Sequence, residues 1–131
     1  MGEKALVERQ IADAIKLIQR LDADGRPPGL VAWYYYDDAD EWRLLIAGST
    51  FDVSRPKDEA VAYKYLVETM ASLSLSSLTI SDLKLVSTKS PLRQALRLLI
   101  GTGPDGIVQV HCTNNTVNGI FIKEMVILRS A

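Results

Sequence analysis

The 131-residue chain carries 15 basic and 16 acidic side chains, a formal net charge of -1, and 47% hydrophobic residues. That composition excludes a disordered or low-complexity chain, and the balanced charge supplies no global field for nucleic acid, an anionic membrane or an acidic substrate. A lone cysteine, Cys112, rules out an internal disulfide and fits a reducing, cytoplasmic setting, and no signal-like start or membrane-length apolar run is visible.

In EKALVERQIADAIKLIQRLD, the residues Val7, Ile11, Ala14, Ile15, Ile18 and Leu21 recur at three- and four-residue spacing, which predicts an amphipathic first helix. Gly25, Pro27, Pro28 and Gly29 end it. LVAWYYY and WRLLIAGST, separated by the polar DDADE, predict an antiparallel hairpin. Pro56, with Ser54 or Arg55 before it, starts a second helix whose Ala62, Leu66, Met70 and Leu73 share one face. SLSLSS alternates leucine with serine and leads into a strand, LTISDLKLVS. Ser90 and Pro91 start a third helix, and Gly101 stops it. IVQVHC and GIFIKEMVILR, divided by TNNTVNG, predict a closing pair of strands. The expected fold is one α+β domain over residues 1–131. A mixed, mainly antiparallel sheet of about five strands carries three helices in the order αββαβαββ.

GTGPDG, residues 101–106, has the spelling of a dinucleotide-binding loop. That chemistry needs a strand entering the glycine turn and a helix leaving it. Here a helix enters and a strand leaves, so the segment reads as a helix stop and turn, and no cofactor is expected. His111 and Cys112 do not form a nucleophile and base, because adjacent strand residues point to opposite faces. Asp82-Leu83-Lys84 resembles half of a metal-dependent nuclease site, with Asp52 as the second carboxylate. Asp37, Asp38, Asp40 and Glu41 crowd one turn without the spacing of a calcium loop, and read as a solvated hairpin tip. No metal centre is expected.

Beyond Met70 the chain has six basic against three acidic residues, whereas the first 69 residues carry nine against thirteen. Lys84, Lys89, Arg93 and Arg97 are therefore the candidates for meeting phosphate, with Arg93 and Arg97 one helical turn apart. Trp33, Tyr34, Tyr35 and Tyr36 must alternate across the sheet, which places two large rings on each face. They are the candidates for a contact surface, including a homo-oligomeric one.

The hairpin around WRLLIAGSTFD, the proline-started helix after it, and the closing TGP…N…VNG…I pattern resemble a group of small bacterial proteins without an assigned activity. The resemblance implies a cytosolic bacterial protein and brings with it no catalytic residue, cofactor or partner. The leading expectation is a non-enzymatic interaction or accessory module that self-associates. A nucleic-acid-associated protein using the basic residues is the first alternative, and a metal-dependent hydrolase or nuclease using Asp52, Asp82 and Lys84 is the second.

Overall fold

The structure, a computed structural model, describes residues 8–49, 51, 53, 55–103 and 106–131. Val7, Ser54, Pro104 and Asp105 lie outside the described residues. The elements run α1 (Glu8–Ala23), β1 (Leu30–Tyr36), β2 (Glu41–Ala47), α2 (Pro56–Ala71), β3 (Leu83–Leu85), α3 (Pro91–Leu99), β4 (Val110–Val117) and β5 (Ile120–Ser130). A 3-10 turn, Ile80–Asp82, precedes β3. One five-stranded sheet has the order β3-β2-β1-β5-β4, parallel only between β2 and β3. The expected α+β architecture and element order are those observed. No helix among the described residues is long and apolar enough to cross a membrane.

Alternation along β1 divides its side chains between two cores. Val31, Trp33 and Tyr35 join Trp42, Leu44 and Ile46 of β2 under α1 and α2. Ile11, Ala14, Leu17, Ile18 and Leu21 of α1 bury their common face there, with Ala62, Leu66 and Met70 of α2 beside them. On the opposite face Leu30, Ala32, Ala47, Met125 and Ile127 pack beneath Leu96 of the nine-residue α3. The cap expected at Ser90 is present: its hydroxyl accepts a hydrogen bond from the Leu92 amide at 3.2 Å, and Pro91 takes the first helical position.

Three segments depart from the sequence pattern. The strand expected across LTISDLKLVS shrinks to three residues, because Thr79 and Asp82 form a reciprocal capping box that winds the preceding segment into a 3-10 turn. In the closing pair, TNNTV belongs to β4, and only Asn118 and Gly119 turn the chain. Both have positive φ, 49° and 79°, the geometry a two-residue hairpin turn of right-handed twist demands. Gly101 keeps ordinary backbone angles, and the positive φ of that loop belongs to Gly103, at 77°.

Gly106 is constrained by space instead, since a Cβ there would lie 2.3 Å from the Thr102 carbonyl oxygen. Gly106→Ala is expected to destabilise the protein by about 1–3 kcal/mol, read as a lower urea midpoint, because backbone must move to admit the methyl group. An unchanged midpoint would contradict the tight approach.

Between Val31 and Ala32 the pairing with β5 slips by one residue, a bulge that places Arg129 opposite Val31 and Ile127 opposite Ala32. The extra residue, Leu128, enters the α1 and α2 core. Arg129, completely buried, donates to both carboxylate oxygens of Asp22 at 2.8 Å and to the Gly106 carbonyl at 2.9 Å. A second buried ion, Asp13 on α1, accepts hydrogen bonds from the Ser77 amide at 2.7 Å and the Leu78 amide at 3.0 Å. This explains the alternation in SLSLSS: Leu73 and Leu75 pack against the core while the later serines meet Asp13.

Candidate functional site

Cross-strand register assembles a group of side chains at the end of the sheet that carries the β1–β2 turn. Tyr34 lies opposite Arg43, and Tyr36 opposite Glu41. Lys84 of β3 pairs with Leu45 of β2, and Met125 of β5 pairs with Tyr34. All belong to the face on which α3 lies, because their neighbours Trp33, Tyr35, Trp42 and Leu44 point into the other core. α3 sits at the far end of that face, chiefly over β5 and β4, with its Leu96 in the same core as Leu30, Ala32 and Ala47.

The aromatic run is thus split. Trp33, with no exposed surface, and Tyr35, 3% exposed, are core residues. Tyr35 stacks near Trp42 and donates to Asp40 Oδ1 at 2.7 Å, which fastens the turn to the strand below. Tyr34 and Tyr36 are half-buried, with ring centroids 4.8 Å apart and planes tilted by 52°. Burial, reinforced by the neighbouring Tyr36 and the Asp37 charge, raises the Tyr34 pKa, so its phenol remains a neutral donor at physiological pH. An interface built on the run therefore has only Tyr34 and Tyr36 to offer.

Charged groups frame this pair. The Lys84 ammonium lies over the Tyr36 ring, 5.1 Å from its centroid. Arg43 donates from Nε and Nη2 to Glu41 Oε2, at 3.2 and 3.0 Å, and from Nη1 to the Ser81 carbonyl at 2.9 Å. Lys123 of β5 approaches Asp37 at 3.8 Å.

Three depressions adjoin around the turn. One of about 220 Å³ includes Trp42, Arg43 and Asp82 in its lining, one of about 460 Å³ includes Tyr36, Arg43 and Lys84, and one of about 390 Å³ includes Tyr34, Tyr36 and Phe121. Glu41 and Arg43 are shared by the first two, and Tyr36 and Asp38 by the last two. The result is a shallow, continuous surface with both charge signs, suited to contact with another molecule.

Asp82 and Lys84 make separate contacts. The Asp82 carboxylate accepts from the Thr79 amide at 2.9 Å and hydroxyl at 3.1 Å, while Lys84 lies over Tyr36. Asp52 lies outside the described residues. Among the described residues no group of three or more His, Cys, Asp or Glu side chains converges on a metal-sized space.

The four basic candidates also divide. Lys84, Lys89 and Arg97 are exposed. Arg93 is half-buried, and its guanidinium donates to the carbonyls of Thr88 and Ala131. Burial, with the charge of Arg97 one turn away, lowers the Arg93 pKa from its usual value. On β4, His111 is exposed and Cys112 buried, as alternation requires, and burial pushes the Cys112 thiol pKa up, away from a reactive thiolate.

Two features of the site carry little or no signal in the sequence. Glu41 and Arg43 stand two apart in EWR, a spacing that puts opposite charges on one face of a strand, and this is the available hint. Phe121 is 56% exposed beside the tyrosines, and nothing in GIFIKEMV distinguishes it from a core residue. Fold and site together show an α+β chain with a tyrosine-lined, mixed-charge depression at one sheet end. The chain matches no protein-family model, and neither a curated protein nor a solved structure is significantly similar to it.

Proposed function

We propose that this protein is a non-enzymatic interaction module whose working surface is the α3-bearing face of the sheet. The observation that carries this reading is the Tyr34–Tyr36 pair, its rings in tilted contact and held between charged side chains on the half of that face which α3 leaves uncovered. Tyrosine suits such a surface because it offers a large, stiff, apolar ring with a polar tip. Sheet extension through the edge strand β4 is the weaker route. Thr113, Asn114, Asn115 and Thr116 make that edge polar, and Asn114, at φ 51°, interrupts its regular backbone.

One observation favours nucleic acid as a second reading. The fold places an aromatic ring beneath Lys84, with Lys89 and Arg97 on the same side of the sheet, and aromatic rings beside cations are the chemistry that stacks unpaired bases. The acidic residues 37–41 oppose it, since a phosphate backbone crossing the tyrosines would run against them.

Hydroxyl-radical footprinting tests the main reading whatever the partner is, by comparing dilute protein, concentrated protein and protein mixed with single-stranded oligonucleotide at low salt. Protection is expected at Tyr34, Tyr36 and the outer side of α3. Protection confined to the exposed Val61 and Val67 of α2 would overturn the assignment. Protection that requires the oligonucleotide and fades steeply with salt would select the second reading.

A further inference from the structure

The α3-bearing face is uneven in two ways, and both have a component along the strands. In height, α3 stands over β5 and β4, at the sheet end where β1 starts and β2 finishes, whereas no helix among the described residues lies above the Tyr34 and Tyr36 end. An α-helix with its side chains is about 10 Å across, so the face is a step beside a recess. In charge, the recess ends at Asp37, Asp38, Asp40 and Glu41 with Arg43, Lys84 and Lys123 behind them, whereas the step carries Lys89, Arg93 and Arg97 and α3 has no acidic residue. The seven residues of β1 separate the two ends by roughly 20 Å at about 3.3 Å per residue.

We infer that a second copy of this chain closes the face, about a twofold axis lying in the contact plane and running across the strands. The α3 helix of each protomer then seats in the tyrosine recess of the other, and its basic residues meet the other's acidic turn. This inference rests on the interaction-module reading and names its partner.

The orientation follows from shape and charge together. A twofold axis along the strands would set both basic helices at one end and both acidic turns at the other, like charge facing like. The axis across the strands sets step into recess and opposite charges together, at two equivalent places, as an isologous contact requires. Apolar surface matches as well. Leu98 on α3 is 76% exposed and Leu99 43%, while the recess offers the half-buried rings of Tyr34 and Tyr36. Arg93 and Arg97 repel each other in the free chain, and an acidic turn arriving from a partner relieves that repulsion.

Sedimentation of the full chain and two charge-reversed variants tests the inference. One variant is Asp37→Lys/Asp38→Lys; Asp40 is left intact because it holds Tyr35. The other is Lys89→Glu/Arg97→Glu; Arg93 is left intact because it holds two backbone carbonyls. The parent chain is expected to dimerise, more weakly as salt rises. Each variant alone should dimerise roughly tenfold or more weakly. Mixing the two should restore dimers, since each turn then meets a helix of opposite sign.

A parent chain that stays monomeric at the highest concentration it reaches would overturn the inference. Footprint protection of the same face by another molecule would still uphold the interaction-module reading. Dimers indifferent to both reversals, or strengthened by salt, would overturn the twofold arrangement. Circular dichroism confirms that each variant is folded before its mass is interpreted.

Discussion

Replacing Arg129 with methionine is expected to destabilise the protein by about 3–5 kcal/mol, the magnitude for breaking a buried ion pair from one side. The guanidinium has no exposed surface and ties β5 to three other segments. It donates twice to Asp22 in the last turn of α1, to the Pro28 carbonyl before β1 and to the Gly106 carbonyl before β4. Methionine fills much of the volume but leaves these acceptors unanswered.

The converse change, Asp22→Asn, strands a buried cation and is also expected to be destabilising. Arg129→Met combined with Asp22→Leu should recover part of the loss, because an apolar pair carries no unmatched charge. Urea denaturation at neutral pH measures all three. A loss below about 1 kcal/mol for Arg129→Met would show that water reaches the site and that the junction is not closed.

The second large effect belongs to Asp13, which is 1% exposed. Burial alone would raise its pKa, but hydrogen bonds from the Ser77 and Leu78 amides, the Ser77 hydroxyl and the Ser76 backbone outweigh burial and lower it below the ordinary 3.8. A carboxyl with a depressed folded-state pKa contributes stability above its unfolded pKa, and that contribution disappears as pH falls through the folded value.

Asp13→Ala is therefore expected to cost about 3 kcal/mol at neutral pH, because two buried amides lose their acceptor. Asp13→Asn should cost less. The gap between either variant and the parent should narrow as the pH drops below about 4, because Asp13 binds a proton in the unfolded chain before it does in the folded one, where its pKa is lowered. Urea midpoints at pH 7 and pH 3 give the comparison, and a gap of equal size at both would show that the ionised form is not what holds the serine-rich segment.

Periodicity made the frame legible. Three- and four-residue spacing located α1, and proline with its preceding cap residue located the start of α3. Alternation set His111 and Cys112 on opposite faces. The same rule states that Trp33 and Tyr35 share one face and Tyr34 and Tyr36 the other, but not which face lies under the larger helical layer. That choice depends on α1 and α2 both docking on one side, a long-range outcome with no local signature.

The ion pairs were hidden for the same reason. Asp22 and Arg129 stand 107 residues apart, as do the halves of the junction they close. A bulge at Leu128, set by pairing rather than by composition, is what admits both Leu128 and Arg129 on the helix side. TNNTVNG reads as a loop by composition, although its TNNTV portion forms the polar, solvent-facing end of an edge strand. Of the site, the tyrosines and Lys84 were visible as residues, but their contact with one another was not.

The position of β1 bears on how the chain reaches this state. Trp33 pairs with Leu44 across a local hairpin on one side and with Val126 on the other. The first pairing closes a short loop and forms early; the second must wait for a search across most of the chain. Until β5 arrives, one backbone edge of the most apolar strand lies open beside the valine, tryptophan and tyrosine side chains that later fill the core. Sequence separation thus predicts a hairpin first and its closing strand last. The interval between them is when the chain is most exposed to pairing with the wrong strand.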